Sequence, residues 1–179
     1  MEKESRWESL ALSKVAILGL GNILLKDEGF GVHVLKELEQ QNLPENVELI
    51  DGGTASLDVL SALKDITKLI IVDSVTYGKE PGTTYCFRPD DLRAKAHSST
   101  LSLHQMSVLE SLSAVKKMGN LPEEIIVVGA EPKVIDWGLD LTPELKQKIP
   151  EVLNIIAKEL DLSEQAGAKD DSHRKQTSR

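Results

Sequence analysis

The stretch VAILGLGNILLKDEGFGV, residues 15–32, decides the fold. Its first six residues, Val15–Leu20, form an unbroken apolar run, the profile of a strand buried on both faces of a parallel sheet. The run stops at Gly21-Asn22. From Gly29 to Gln40, Phe30, Val34 and Leu38 then recur at helical spacing. A buried strand that passes through a glycine-bearing loop into an amphipathic helix opens a chain of alternating β and α units.

The alternation continues. Apolar runs predict strands at Val47–Ile50, Leu69–Val72, Thr83–Phe87 and Ile125–Val128. Between them, Leu57, Leu60 and Leu63 mark one helix and Ser102–Met118 a strongly amphipathic one. A last helix opens with Thr142 as N-cap and Pro143 at its first position, and Pro150 is expected to kink or split it. The pattern predicts an α/β protein: a single doubly wound three-layer domain around a mainly parallel twisted sheet. That domain is expected over residues 14–162. Residues 1–13 read as a polar leader and 163–179, SEQAGAKDDSHRKQTSR, as a disordered tail.

Composition narrows the class of partner. Of 179 residues, 40% are hydrophobic and only 3% aromatic, so the core must be built from Leu, Ile, Val and Ala. A net charge of -8 and a pI of about 5.1 oppose nucleic acid or an anionic membrane as the main partner, because both repel an acidic surface. One cysteine, Cys86, excludes an intramolecular disulfide and suits a reducing compartment. The opening MEKESRWESLALSK has no apolar core of a signal peptide, and no run approaches the roughly 20 apolar residues of a membrane helix. The expected location is cytoplasmic.

In open parallel sheets, chemistry gathers at the carboxyl ends of the strands, near a switch in strand order. Strand one delivers Asp27 and Glu28 there, strand two Asp51 and strand three Asp73. Four carboxylates at one sheet edge repel one another unless a cation, a proton or a positive partner balances them. His104 supplies another donor type. Ser102-Leu103-His104-Gln105 has capping-box spacing, which puts His104 in a first helical turn, where the helix dipole favours the neutral, metal-binding imidazole. Two carboxylates and a histidine with open positions suit nickel, zinc or iron.

The same residues carry a resemblance. Gly19 to Val32, then Asp51-Gly52-Gly53-Thr54, Ile70-Ile71-Val72-Asp73 and Ser102-Leu103-His104-Gln105 resemble, in order, the blocks of the nickel-iron hydrogenase maturation endopeptidases. The likeness covers most of Val15–Leu160. It implies an endopeptidase that removes a C-terminal peptide from the nickel-loaded large-subunit precursor of a nickel-iron hydrogenase, with the bound nickel as recognition element. It further implies Glu28, Asp73 and His104 as metal ligands. The nickel arrives with the precursor, and zinc or cadmium is expected to substitute for it in vitro. Asp51 matches a position tied to cleavage or recognition, so Asp51 and Asp73 are the catalytic candidates. The alternative is a non-catalytic nickel-sensing maturation chaperone on the same fold.

Taken singly, these residues also have plainer roles. Asp51 fits a turn before two glycines, Glu28 an exposed acid in a first helical turn, Asp73 a capping position and His104 a surface position. His33 and His97 are expected to be solvated, Cys86 to act as a small hydrophobe in a strand, and Trp137 either to line a partner-binding cleft or to pack. A nucleotide-binding module and a two-aspartate protease are disfavoured. The nucleotide fingerprint Gly-x-Gly-x-x-Gly fails at Leu24, and Asp27-Glu28 would face a pyrophosphate. No Asp-Thr-Gly or Asp-Ser-Gly is present to support a two-aspartate dyad. Water activation is left to an aspartate or to the metal.

Overall fold

The computed structural model describes residues 14–54, 63, 65–89 and 122–160. Among the described residues five strands form, β1 (Val15–Leu20), β2 (Val47–Gly53), β3 (Lys68–Ser74), β4 (Thr84–Phe87) and β5 (Glu124–Ala130). A 3-10 turn at Lys26–Gly29 leads into helix α1 (Phe30–Leu38), and α2 (Pro143–Lys146) and α3 (Ile149–Glu159) close the described chain. The strands join in one sheet of order β2-β1-β3-β5-β4. All pairings are parallel except β4 with β5, which is antiparallel. The α/β class and the mainly parallel sheet are those expected from the apolar runs.

Strand alternation explains why both faces must be covered. Val15, Ile17, Ile70, Val72, Ile126 and Val128 point to one side, where they pack against Phe30, Val34 and Leu38 of α1 and Val152 and Ile156 of α3. Ala16, Leu18, Leu20, Leu69, Ile71 and Val127 point to the other, with Leu63 and Ile66. Ile17, Ile70 and Ile71 have no exposed surface. Each such side chain contributes about 1.5–3 kcal/mol of hydrophobic stabilisation.

Helix α1 approaches the sheet unusually closely at Gly31. A Cβ there would meet the Val72 carbonyl oxygen at 2.1 Å and that of Leu20 at 2.4 Å. Glycine at this position therefore sets how near the start of α1 sits to the ends of β1 and β3.

Several local expectations meet the structure with a change. The helix expected from Gly29 begins as a 3-10 turn and becomes α-helical only at Phe30. Pro150 does split the last helix: α2 ends at Lys146 and Pro150 sits at the start of α3. Thr142 is the N-cap of α2, yet its hydroxyl makes no capping bond and donates instead to Asp27. The leader, the tail and the helices expected through Leu57 and over Ser102–Met118 lie outside the described residues, apart from Leu63. Among the described residues no helix is long and apolar enough to cross a membrane.

Candidate functional site

From β1 the chain runs to β2 on one side of it and then returns to β3 on the other. The carboxyl ends of β1 and β3 thus flank a topological switch point, where an open sheet leaves a crevice. The loop after β1 folds back over that end because Gly21 permits it. Gly21 has φ +124°, and a Cβ would lie 1.8 Å from the carbonyl oxygen of Glu28. Lys26 enters the 3-10 turn with φ 47°, a left-handed conformation that L residues rarely adopt. Its amide donates to the Gly138 carbonyl at 2.8 Å, which holds it there.

Two adjacent acids in this turn have opposite fates. Asp27 is fully buried, and its carboxylate accepts four hydrogen bonds. The amides of Lys133 and Val134 reach Oδ2 at 2.9 Å each, the Thr142 amide reaches Oδ1 at 2.7 Å, and the Thr142 hydroxyl reaches Oδ2 at 2.9 Å. Those donors balance its charge without a cation. The expectation of four carboxylates repelling at one edge is corrected here: Asp27 turns away from the edge and anchors residues 133–142.

Glu28 is the converse. Its Oε2 is buried and has no hydrogen-bond partner among the described residues. An unsatisfied buried carboxylate oxygen costs about 1–3 kcal/mol or more, so it is the atom in this turn most in need of a cation. Asp73 lies near the end of β3, 4% exposed, with Oδ1 accepting the Ser74 amide at 2.8 Å. The turn carrying Glu28 packs against β3, so the fold brings the elements bearing Glu28 and Asp73 together at the switch point. A carboxylate oxygen without a partner suits a divalent cation, and nickel or zinc would need nitrogen or sulfur donors beside it. His104, the third expected ligand, and His97 lie outside the described residues. Among the described residues no group of three His, Cys, Asp or Glu side chains gathers to hold a metal.

Asp51 lies two residues before the end of β2, exposed, beside Gly19 of β1. Its Oδ1 accepts the Gly53 amide at 2.9 Å, and Gly53 takes φ 47°. This is an aspartate-stabilised turn, the plainer of its two roles. It engages one carboxylate oxygen, and among the described residues the other makes no hydrogen bond.

Glu131 was missed. It is 3% exposed and follows β5, and it accepts the Tyr77 amide at 2.9 Å, the Gly78 amide at 3.0 Å and the Tyr85 hydroxyl at 2.5 Å. The rule that singled out Asp51 and Asp73, an acid closing an apolar strand, finds it two residues beyond Gly129. Its bonds tie the loop after β3 to β4, away from the switch point. Burial, and then the Glu131 carboxylate, push the Tyr85 phenol well above its usual value.

The remaining candidates resolve simply. Cys86 lies exposed on β4, where partial desolvation and Glu159 push its thiol up, away from a ready nucleophile. His33 is half-buried, with Nε2 3.1 Å from the Leu139 carbonyl, so it is not freely solvated as expected. Trp137 is 75% exposed, which removes a packing role.

Comparison with known proteins agrees with this fold. A family model described as hydrogenase maturation protease matches residues 32–159. The hydrogenase expression/formation protein HupD of Bradyrhizobium diazoefficiens is 34% identical over 150 residues, 83% of this chain and 78% of that one. The hydrogenase 2 maturation protease of Escherichia coli is 34% identical over 80% of this chain and 88% of its own. The solved hydrogenase maturating endopeptidase HybD from E. coli superposes with a TM-score of 0.73, at 34% identity, covering 84% of this chain and 93% of the other.

Proposed function

The chain belongs to the hydrogenase maturation protease family, and on that premise we propose that it removes a C-terminal peptide from the nickel-loaded large-subunit precursor of a nickel-iron hydrogenase. The observation that carries this reading is the buried Oε2 of Glu28, unpartnered among the described residues, beside the β1/β3 switch point. An atom so placed is stabilised when a cation arrives from outside. In this reading the precursor brings the cation.

Glu28, Asp73 and His104 serve as extra ligands to nickel already held by thiolates of the precursor. The shared metal fixes the precursor against the enzyme and positions the scissile peptide. An empty precursor lacks that anchor, so cleavage reports completed loading. Asp51 and Asp73 are the candidates to take a proton from the attacking water. Asp51 suits the task because one oxygen holds its turn rigidly while the other, among the described residues, makes no hydrogen bond. Zinc or cadmium would occupy the same donors in vitro.

The test is mass spectrometry of nickel-loaded and nickel-free large-subunit precursor incubated with the protein. Loss of a C-terminal peptide only from the loaded sample, abolished by Glu28→Ala, is the expected result. Intact precursor in every matched pairing would overturn the protease reading in favour of a metal-sensing chaperone. Equal cleavage of both samples would overturn the nickel gate alone.

A further inference from the structure

Among the described residues, five large hydrophobic side chains are exposed: Ile23, Leu24, Ile135, Trp137 and Leu139. They fall in only two short segments, and those segments are stitched together. Leu25 and Gly138 form a parallel bridge. The Gly138 amide donates to the Leu24 carbonyl at 2.9 Å, and the Lys26 amide donates to the Gly138 carbonyl at 2.8 Å. Scattered exposed hydrophobics are ordinary on a protein surface, but five concentrated on one bridged pair of loops need an explanation.

The pair is also held rigidly. Asp27 grips Lys133 and Val134 on one flank of the second segment and Thr142 on the other. The Trp137 amide is tied to Asp136 Oδ1 at 2.8 Å, and the Leu139 carbonyl faces His33. With the backbone restrained on both flanks, Trp137 is 75% and Leu139 62% exposed. The buried carboxylate of Asp27 therefore serves to hold apolar surface out in solvent.

We propose that these two bridged loops form a docking platform for an apolar segment of the large-subunit precursor, next to the site that meets its metal. The inference rests on the function proposed above. The occupant follows from continuity: Glu28 lies in the same stretch as Ile23 and Leu24, and its amide donates to the Leu25 carbonyl at 3.1 Å. A partner whose metal reaches Glu28 therefore comes close to the loop that carries Ile23 and Leu24. A second copy of the chain seated there would crowd the approach to Glu28.

The platform supplies affinity that does not depend on the metal, and the carboxylate supplies the check on loading. Exposed aromatic anchors of this type carry much of the energy at protein interfaces. The platform is thus read in KM and in binding rather than in the chemical step.

Two measurements test it with nickel-loaded precursor as the probe. In a Trp7→Phe protein, Trp137 emission is expected to shift to the blue when precursor is added. The variants Trp137→Ser and Ile135→Ser/Leu139→Ser are expected to raise KM about tenfold, with a smaller change in kcat. Cleavage with unchanged KM in both variants and unmoved Trp137 emission would overturn the platform and leave the protease reading standing. A blue shift on binding without any cleavage would instead overturn the protease reading and keep the platform. Emission that shifts with protein concentration alone, together with sedimentation as a dimer, would assign the surface to a second copy and overturn the precursor as its occupant.

Discussion

The carboxylate of Asp27 takes both the backbone N–H and the side-chain hydroxyl of Thr142, 115 residues further along the chain, at 2.7 and 2.9 Å. This single acid joins the loop after β1 to the start of α2. It also explains why Thr142, placed as an N-cap, does not cap its own helix. Because Asp27 faces inward, its neighbour Glu28 is carried on the next position of a tight 3-10 turn beside the switch point.

Asp27→Asn is expected to destabilise the protein by about 3 kcal/mol, because one amide oxygen cannot replace a charged acceptor of four bonds and the new amide N–H₂ meets other donors. Urea unfolding at neutral pH measures it. A loss below about 1 kcal/mol would mean that the four bonds contribute little beyond offsetting the cost of burial.

Gly21→Ala should cost roughly 2–3 kcal/mol and abolish precursor cleavage together. The added Cβ would collide with the Glu28 carbonyl oxygen, at 1.8 Å, so the turn must move and take Glu28 with it. A variant that cleaves at the parental rate would show that the placement of this turn does not matter to activity.

Asp51→Asn separates the two roles of that residue. The asparagine oxygen can still accept the Gly53 amide, so stability should stay within about 0.5 kcal/mol of the parent. Cleavage of nickel-loaded precursor should nevertheless fall by about 100-fold or more, the usual contribution of a positioned general base. Retained cleavage would leave Asp51 as a turn-former and move the chemistry to Asp73.

The two tyrosines give a pH signature. Burial raises the Tyr77 phenol, while burial together with the hydrogen bond and charge of Glu131 raises that of Tyr85. Raised folded-state values mean that the stabilisation is fully present below the unfolded phenol value of about 10 and is lost as pH rises through the folded values. Tyrosinate absorbance of the native protein should therefore appear at higher pH than in urea. Tyr85→Phe should leave only the smaller displacement of Tyr77. Coincident native and unfolded titrations would remove the Tyr85–Glu131 bond from the account.

Each strand expected from the apolar runs is present, β4 one residue shorter and β2, β3 and β5 longer by three residues than expected. In β1, β3 and β5 burial on both faces leaves its mark on consecutive residues and needs no distant information. For the same reason Asp51 and Asp73 were legible as strand-end acids. The sequence by itself thus determined the α/β class and the strands that carry Asp51 and Asp73. Only the tertiary structure decided between Asp27 and Glu28, which look alike as neighbours in one loop. The donors that satisfy Asp27 come from residues 133, 134 and 142, and no local spacing records them. The same long-range closure placed Glu131 against Tyr85 and put the two loops around Leu25 and Gly138 side by side. Periodicity reports which side chains leave water, but hydrogen-bond partners more than 100 residues apart are settled only when the chain has closed on itself.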